Sequence, residues 1–228
     1  MKKGILYGVG VGPGDPGLMT VKAVRTALDC DVIAVPHKER EKCLALKIAL
    51  GAAPELAEKP LLTVDMPMTK DKQRLEAAYI AGIDLLSQTL DTGKNVAFLT
   101  LGDPTVYSTY LYLHTRVADR GYETKIIPGV TSFCAAAAEL GISLCENQQE
   151  LHIIPGTYHP TEAFAYPGVK IMMKNNLAKT LPYLKAQGLS AYMVENCGLP
   201  NQHVYRCLDE IPEDAGYFSL LIVKGDGK

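Results

Sequence analysis

Three segments of the chain carry residues whose types and spacing could do chemistry. The first is Gly8-Val9-Gly10-Val11-Gly12-Pro13-Gly14-Asp15-Pro16-Gly17. Glycines free the backbone and prolines stiffen it, so this stretch reads as a rigid turn that can approach a ligand closely. The second is Thr100-Leu101-Gly102-Asp103-Pro104-Thr105-Val106-Tyr107-Ser108-Thr109. It offers backbone groups at Leu101 and Gly102, with the Asp103 carboxylate placed to face a cationic ligand group. The third is Ile127-Pro128-Gly129-Val130-Thr131-Ser132-Phe133, a Pro-Gly turn followed by two hydroxyls. Each also has a plain structural reading. Asp103-Pro104 suits the start of a helix, with proline at its first position. Thr131 or Ser132 can cap an alanine-rich helix.

Gly12 to Gly17 also matches G-x-G-x-x-G, the fingerprint of dinucleotide binding. That reading makes the chain an NAD(P)-dependent oxidoreductase. The physical chemistry opposes it. Pro13 and Pro16 each remove an N–H that a pyrophosphate would need. Asp15 would set a negative charge beside the phosphates.

These loops need elements to hold them. Gly4 to Gly10 reads as a buried strand, Thr20 to Leu28 as a helix with Val21, Val24 and Leu28 on one face, and Asp31 to Val35 as an apolar run. Glu39 to Leu50 reads as helical and Leu61 to Val64 as a short strand. Lys70 to Leu90 is the clearest helix, because Leu75, Tyr79, Ile83, Leu86 and Leu90 recur at helical spacing. Asn95 to Thr100 and Tyr122 to Ile127 read as strands. Short apolar strands alternating with helices predict a mostly parallel sheet covered on both faces. Beyond it, Leu151 to Ile154, Lys170 to Met173, Ala191 to Glu195, His203 to Cys207 and Tyr217 to Val223 read as strands, with helices at Thr131 to Leu140 and Leu177 to Gln187. Fewer helices separate these strands, so a mixed sheet is expected. The fold class is therefore α/β with two α/β domains: an amino-terminal one over residues 1–128 and a carboxyl-terminal one over 129–228.

The bulk properties exclude several function classes. The chain has 228 residues, 47% of them hydrophobic, and a formal net charge of −2. A slightly negative protein with no Lys/Arg run longer than Lys2-Lys3 is a poor nucleic-acid binder. No segment approaches the ~20 apolar residues of a membrane span. The Gly-rich amino-terminal strand does not read as a signal peptide, which points to the cytoplasm. None of the six cysteines forms C-x-x-C, and the five histidines show no metal-ligand spacing, so no metal site is expected. The cysteines read as reduced core thiols.

In order and spacing, the loops from Gly10 to Thr20, from Leu101 to Tyr107 and from Pro128 to Phe133 resemble the tetrapyrrole (corrin/porphyrin) methylase family, and the resemblance runs over nearly the whole chain. Two departures stand out. Gly17 replaces the glutamate of many members, and Met172-Met173-Lys174 replaces a Tyr-Met-Gly. The resemblance implies a homodimer that binds S-adenosylmethionine in a cleft between the two domains and releases S-adenosylhomocysteine, with a tetrapyrrole as the substrate. It carries cofactor contacts to Pro13, Leu101, Gly102, Asp103, Val106, Thr131, Ser132, Met173 and Cys197, with the Cys197 sulfur incidental. The segment Val194 to Leu199, followed by Gln202 to Tyr205, is similar to the branch that methylates C20 of precorrin-2 or of cobalt-factor II on the way to cobalamin. Members acting at other ring carbons remain the alternative within the family.

Methyl transfer from a sulfonium is an in-line displacement, and positioning supplies most of the rate. The new sp³ carbon must then lose a proton. Asp15, Asp103, Tyr107 and Glu195 are the candidate bases. Lys38, Arg40 and Lys174 are candidate partners for the substrate's carboxylates.

Overall fold

The computed structural model describes residues 2–36, 39–67, 69–155, 159–173 and 176–224. The chain divides into two compact units, Met1–Thr131 and Ser132–Lys228.

The first unit runs β1 (Ile5–Gly10), α1 (Val21–Asp29), β2 (Val32–Val35), α2 (Leu44–Ala52), β3 (Leu61–Thr63), α3 (Lys72–Asp91), β4 (Val96–Thr100), α4 (Tyr110–Asp119) and β5 (Glu123–Ile127). Its strands are all parallel, in the order β3-β2-β4-β1-β5. Strands β2 and β4 are buried at every residue. That is why they read as apolar runs and not as alternation. Successive side chains feed two cores. Val9, Ile33, Val35, Ala97 and Leu99 join α1 and α2 through Ala23, Ala27, Leu46 and Ile48. Leu6, Val32, Ala34, Val96 and Phe98 join α3 and α4 through Ile83, Leu86, Tyr110 and Leu113. The Tyr110 ring lies across β1 at Gly8, where a Cβ would stand 2.0 Å from Cε1, so this close crossing needs glycine. The chain leaves β1 through α1 on one face and leaves β4 through α4 on the other. Neighbouring strands β1 and β4 therefore form a topological switch point, where ligands settle at the carboxyl ends of open α/β sheets.

Some details differ from the sequence pattern. In α1 the buried residues are Ala23 and Ala27, and Val21 is 65% exposed. Thr20 accepts from the Ala23 N–H at 3.1 Å and so sets Val21 at the first helical position, turned to solvent. The helix expected from Glu39 is broken: a 3-10 turn at Arg40–Lys42 is followed by extended backbone at Cys43, and α2 begins at Leu44. Helix α4 stands where no element was expected. Its buried positions, Tyr110, Leu113 and Val117, keep helical spacing that the intervening Leu111 and Tyr112 obscure.

The second unit runs α5 (Ser132–Leu140), β6 (Leu151–Pro155), α6 (Pro160–Ala163), β7 (Val169–Met173), α7 (Leu177–Gln187), β8 (Ser190–Glu195), β9 (His203–Tyr205) and β10 (Ser219–Lys224). The sheet order is β6-β7-β10-β8-β9. β6 and β7 are parallel and the remaining pairs antiparallel, giving the mixed sheet expected. Leu177, Leu181 and Leu184 of α7 pack on Met172, Met193 and Leu221 of the sheet. Gly188, at φ 64°, ends α7 in the left-handed conformation. The Arg206 guanidinium donates to the Leu140 carbonyl at 2.6 Å and to that of Glu139 at 3.2 Å, satisfying the last turn of α5.

Candidate active-site loops

The three loops singled out in the sequence meet at the carboxyl ends of β1, β4 and β5. The Val11 N–H donates to the Thr100 carbonyl at 3.0 Å. Gly12 and Gly102 then form a two-way bridge: Gly12 N to Gly102 O at 3.2 Å and Gly102 N to Gly12 O at 2.8 Å. Both glycines have positive φ, 83° and 67°, which other residues adopt only with strain. The third loop closes on the second. A Cβ on Gly129 would lie 2.1 Å from the Gly102 carbonyl oxygen, and one on Gly10 would lie 2.6 Å from the Gly129 nitrogen. At Gly10 and Gly129 only bare backbone fits.

Asp103 fastens the junction. Its carboxylate accepts from the Gly129 N–H at 2.9 Å through Oδ2, and from the Thr105 N–H at 2.7 Å and the Thr105 hydroxyl through Oδ1. The residue is only 7% exposed. The helix start expected at Asp103-Pro104 is absent. The carboxylate closes a turn over Thr105, and α4 begins only at Tyr110. At Gly102 a Cβ would meet nothing within 4 Å, so the bridge presents backbone to open space. Pro13 is buried in the bend after Gly12, while Leu101 and Val106 are half-buried. Asp15 is exposed and accepts from the Gly17 N–H at 2.8 Å. Tyr107 holds φ 49° and is 54% exposed.

Two threonine hydroxyls in this unit stand out. Thr100 Oγ1 and Thr131 Oγ1 are buried without a hydrogen-bond partner. Of the two hydroxyls expected to cap the helix, Thr131 or Ser132, that of Thr131 is not spent in this way. Neither the Thr100 hydroxyl nor the Gly129 N–H is among the site groups expected from the sequence. A threonine closing an otherwise apolar strand, one residue before Leu101-Gly102-Asp103, was the available signal for the first.

The remaining candidates lie in the second unit. Met173 ends β7 opposite Leu220, and Glu195 ends β8 opposite Ser219, so both flank the start of β10. Asn196 follows at φ 53°, its N–H donating to the Phe218 carbonyl at 3.0 Å, and Cys197 comes next. Ser132 opens α5, which packs on β8 and β10. Glu195 accepts from the Gly216 N–H at 2.6 Å, and the Tyr205 hydroxyl lies 3.5 Å from its other oxygen. Burial, with the nearby Glu139 carboxylate adding, pushes the Cys197 thiol up to about 11. It stays protonated at neutral pH and is no nucleophile.

All six cysteines are thiols, but only Cys30, Cys43 and Cys197 are buried; Cys134 and Cys207 are exposed, which corrects the expectation of core thiols for those two. Lys38 and Lys174 lie outside the described residues, and Arg40 is exposed in its turn. Among the described residues no cluster of His, Cys, Asp or Glu is placed to hold a metal ion. No helix among them is long and apolar enough to cross a membrane.

The model of one protein family, the tetrapyrrole (corrin/porphyrin) methylases, matches residues 5–211, a stretch that contains all three loops. The chain belongs to that family. Among tetrapyrrole methylases it is 33% identical to the precorrin-2 C(20)-methyltransferase of Sinorhizobium sp, over 97% of this chain and 96% of that one. It is 32% identical to the cobalt-precorrin-2 C(20)-methyltransferase of Salmonella typhimurium, over 96% of each. It is 34% identical to the cobalamin biosynthesis protein CobIJ of Mycobacterium tuberculosis, over 98% of this chain, and spans 46% of the length of that protein. The fold is that of the cobalt precorrin-4 methyltransferase CbiF, with a TM-score of 0.74 at 18% identity over 96% of this chain and 94% of that one.

Proposed function

We propose that this tetrapyrrole methylase transfers a methyl group from S-adenosylmethionine to C20 of precorrin-2 or of cobalt-factor II during construction of the corrin ring. The observation that carries the reading is the interlocked loop junction at the switch point, with Gly102 backbone facing open space and two buried hydroxyls beside it lacking partners. Likeness over nearly full length to two relatives named for C20 methylation supports the position on the ring.

The loops fit the methyl donor on chemical grounds. A nucleoside carrying an amino-acid tail asks for backbone amides and carbonyls and for short hydroxyls, and the junction holds these. When bound, the donor supplies a sulfonium methyl group for in-line attack by a ring carbon. Pro13, Leu101, Gly102, Asp103, Val106 and Thr131 of the first unit hold it, and Ser132, Met173 and Cys197 of the second are assigned to it as well. Asp103 acts as a positioning residue, since both its oxygens tie the loops together. Removal of the C20 proton falls to Asp15, Tyr107 or Glu195. The chain works in the cytoplasm as a homodimer in this reading.

The dinucleotide reading finds no geometric support. The Gly12 N–H is taken by the Gly102 carbonyl and the Gly17 N–H by Asp15, so two of the three glycine amides of G-x-G-x-x-G are engaged.

An anaerobic turnover assay read by mass spectrometry tests the proposal. S-adenosylmethionine is offered with precorrin-2 and, in parallel, with cobalt-factor II. Gain of one methyl group, placed at C20 by NMR, is the expected result, and the faster substrate identifies the branch. Methylation at another carbon would overturn the C20 assignment. Binding of NAD in preference to S-adenosylmethionine would overturn the reaction class.

A further inference from the structure

Two of the three buried side-chain polar atoms without a hydrogen-bond partner, among the described residues, are Thr100 Oγ1 and Thr131 Oγ1. The third, His152 Nε2, lies 3.2 Å from the Glu150 carboxylate. A buried hydroxyl left unpaired costs stability, and native structures rarely keep one without a reason. Thr131 lies in the third loop and has a role in the proposed function. Thr100 has none.

The position of Thr100 is informative. It ends β4, and the residue is 8% exposed. Its carbonyl already holds the Val11 N–H, and its register partner on β1 is Gly10. Along β4 the side chains alternate, Val96 and Phe98 toward α3 and α4, Ala97 and Leu99 toward α1 and α2. Thr100 therefore points to the α3–α4 face, where β1 presents Gly8 and Gly10 and so offers no side chain to pair with it. Two residues on, the Gly102 backbone borders open space.

We propose that the Thr100 hydroxyl is a further binding residue for the methyl donor, hydrogen-bonding a polar group of a nucleoside or amino-acid tail seated over Gly102. The inference rests on the methyl-donor reading above. The oxygen is closed off from solvent, so contact requires the Leu101–Asp103 backbone to yield by a small shift. That shift would strain the two Gly12–Gly102 hydrogen bonds, a cost that the new contact to the hydroxyl must offset.

The test is calorimetric binding of S-adenosylhomocysteine to the full chain and to the variants Thr100→Val and Thr100→Ser, with a thermal melt of each. Valine keeps the shape and deletes the hydroxyl; serine keeps the hydroxyl. Thr100→Val is expected to bind about threefold to tenfold more weakly. Its melting temperature is expected to hold or rise by a few degrees, because an unpaired buried group has gone. Thr100→Ser is expected to bind within about twofold of the unaltered chain. Equal binding by Thr100→Val would overturn the inference while leaving the methyl-donor reading in place. Equal weakening in both variants would overturn it too, since packing and not the hydroxyl would be responsible. No binding by the unaltered chain would overturn the methyl-donor reading and this inference with it.

Discussion

At the scale of single residues, Asp103 and Gly129 decide whether the loop junction exists. Replacing Asp103 with alanine leaves the Gly129 and Thr105 N–H groups without their acceptor. Each stranded donor is worth ~1–3 kcal/mol, so urea unfolding of Asp103→Ala, which strands two, should show a loss of about 2–6 kcal/mol, with a smaller loss for Asp103→Asn, which keeps one oxygen. Gly129 offers a sharper contrast. Its missing Cβ would stand 2.1 Å from the Gly102 carbonyl, whereas Gly141, at φ 68°, has nothing within 4 Å of its Cβ position. Gly141→Ala should cost only the ~1–2 kcal/mol of left-handed backbone strain. Gly129→Ala should force the loops apart, costing at least as much stability and also abolishing S-adenosylhomocysteine binding in calorimetry. Binding retained by Gly129→Ala would show that the donor does not need the closed junction.

At the scale of elements, α4 is keyed into the first sheet by one polar chain. The Tyr110 hydroxyl lies 3.1 Å from His114 Nδ1, and the Thr124 hydroxyl of β5 lies 3.2 Å from Nε2. Tyr110 in turn fills the space above Gly8 on β1. Desolvation holds the His114 imidazole below its ordinary value of 6.5. Above that value both folded and unfolded chains carry a neutral ring, and the full stability is present. As pH falls below it, the unfolded chain takes up the proton first, so stability is lost until the folded ring titrates as well. Urea melts at pH 7.5, 6.0 and 5.0 should therefore show a falling midpoint, and His114→Gln should flatten that slope. An unchanged slope in the variant would move the acid sensitivity to other groups.

At the scale of the whole molecule, the buried thiols report whether the core over α1 and α2 and the turn after β8 stay closed. Burial, with Asp31 beside it, pushes Cys30 up to about 12, and Cys197 rises to about 11. Iodoacetamide at neutral pH should modify Cys134 and Cys207 and spare Cys30, Cys43 and Cys197 until the chain unfolds, as read by peptide mass spectrometry. The same thiols make the fold sensitive to alkali. Above pH 9 the unfolded chain releases protons that the folded chain keeps, so stability should decline from there towards pH 11 and 12. Fast labelling of Cys30 in the native chain would show that the core over α1 and α2 opens.

Periodicity and turn chemistry were legible in the sequence because they are local. Apolar runs of strand length, the helical spacing of Leu75 to Leu90 and the Gly/Pro loops foretold a parallel sheet followed by a mixed one, and the order of the three loops pointed to the family. Local pattern could not show that α4 begins at Tyr110, that Val21 faces water, or that Asp103 ties two loops instead of capping a helix. Those outcomes turn on contacts between distant segments. Asp103 meets the Gly129 N–H, and Gly10 and Gly129 must lack side chains, because strands β1, β4 and β5 lie side by side in the sheet, whereas Gly102 needs glycine only for its φ of 67°. The unpaired hydroxyl of Thr100 belongs to the same class. A threonine at the end of a strand is unremarked in sequence, and only the packing around it shows that nothing within the described residues answers its hydrogen bond.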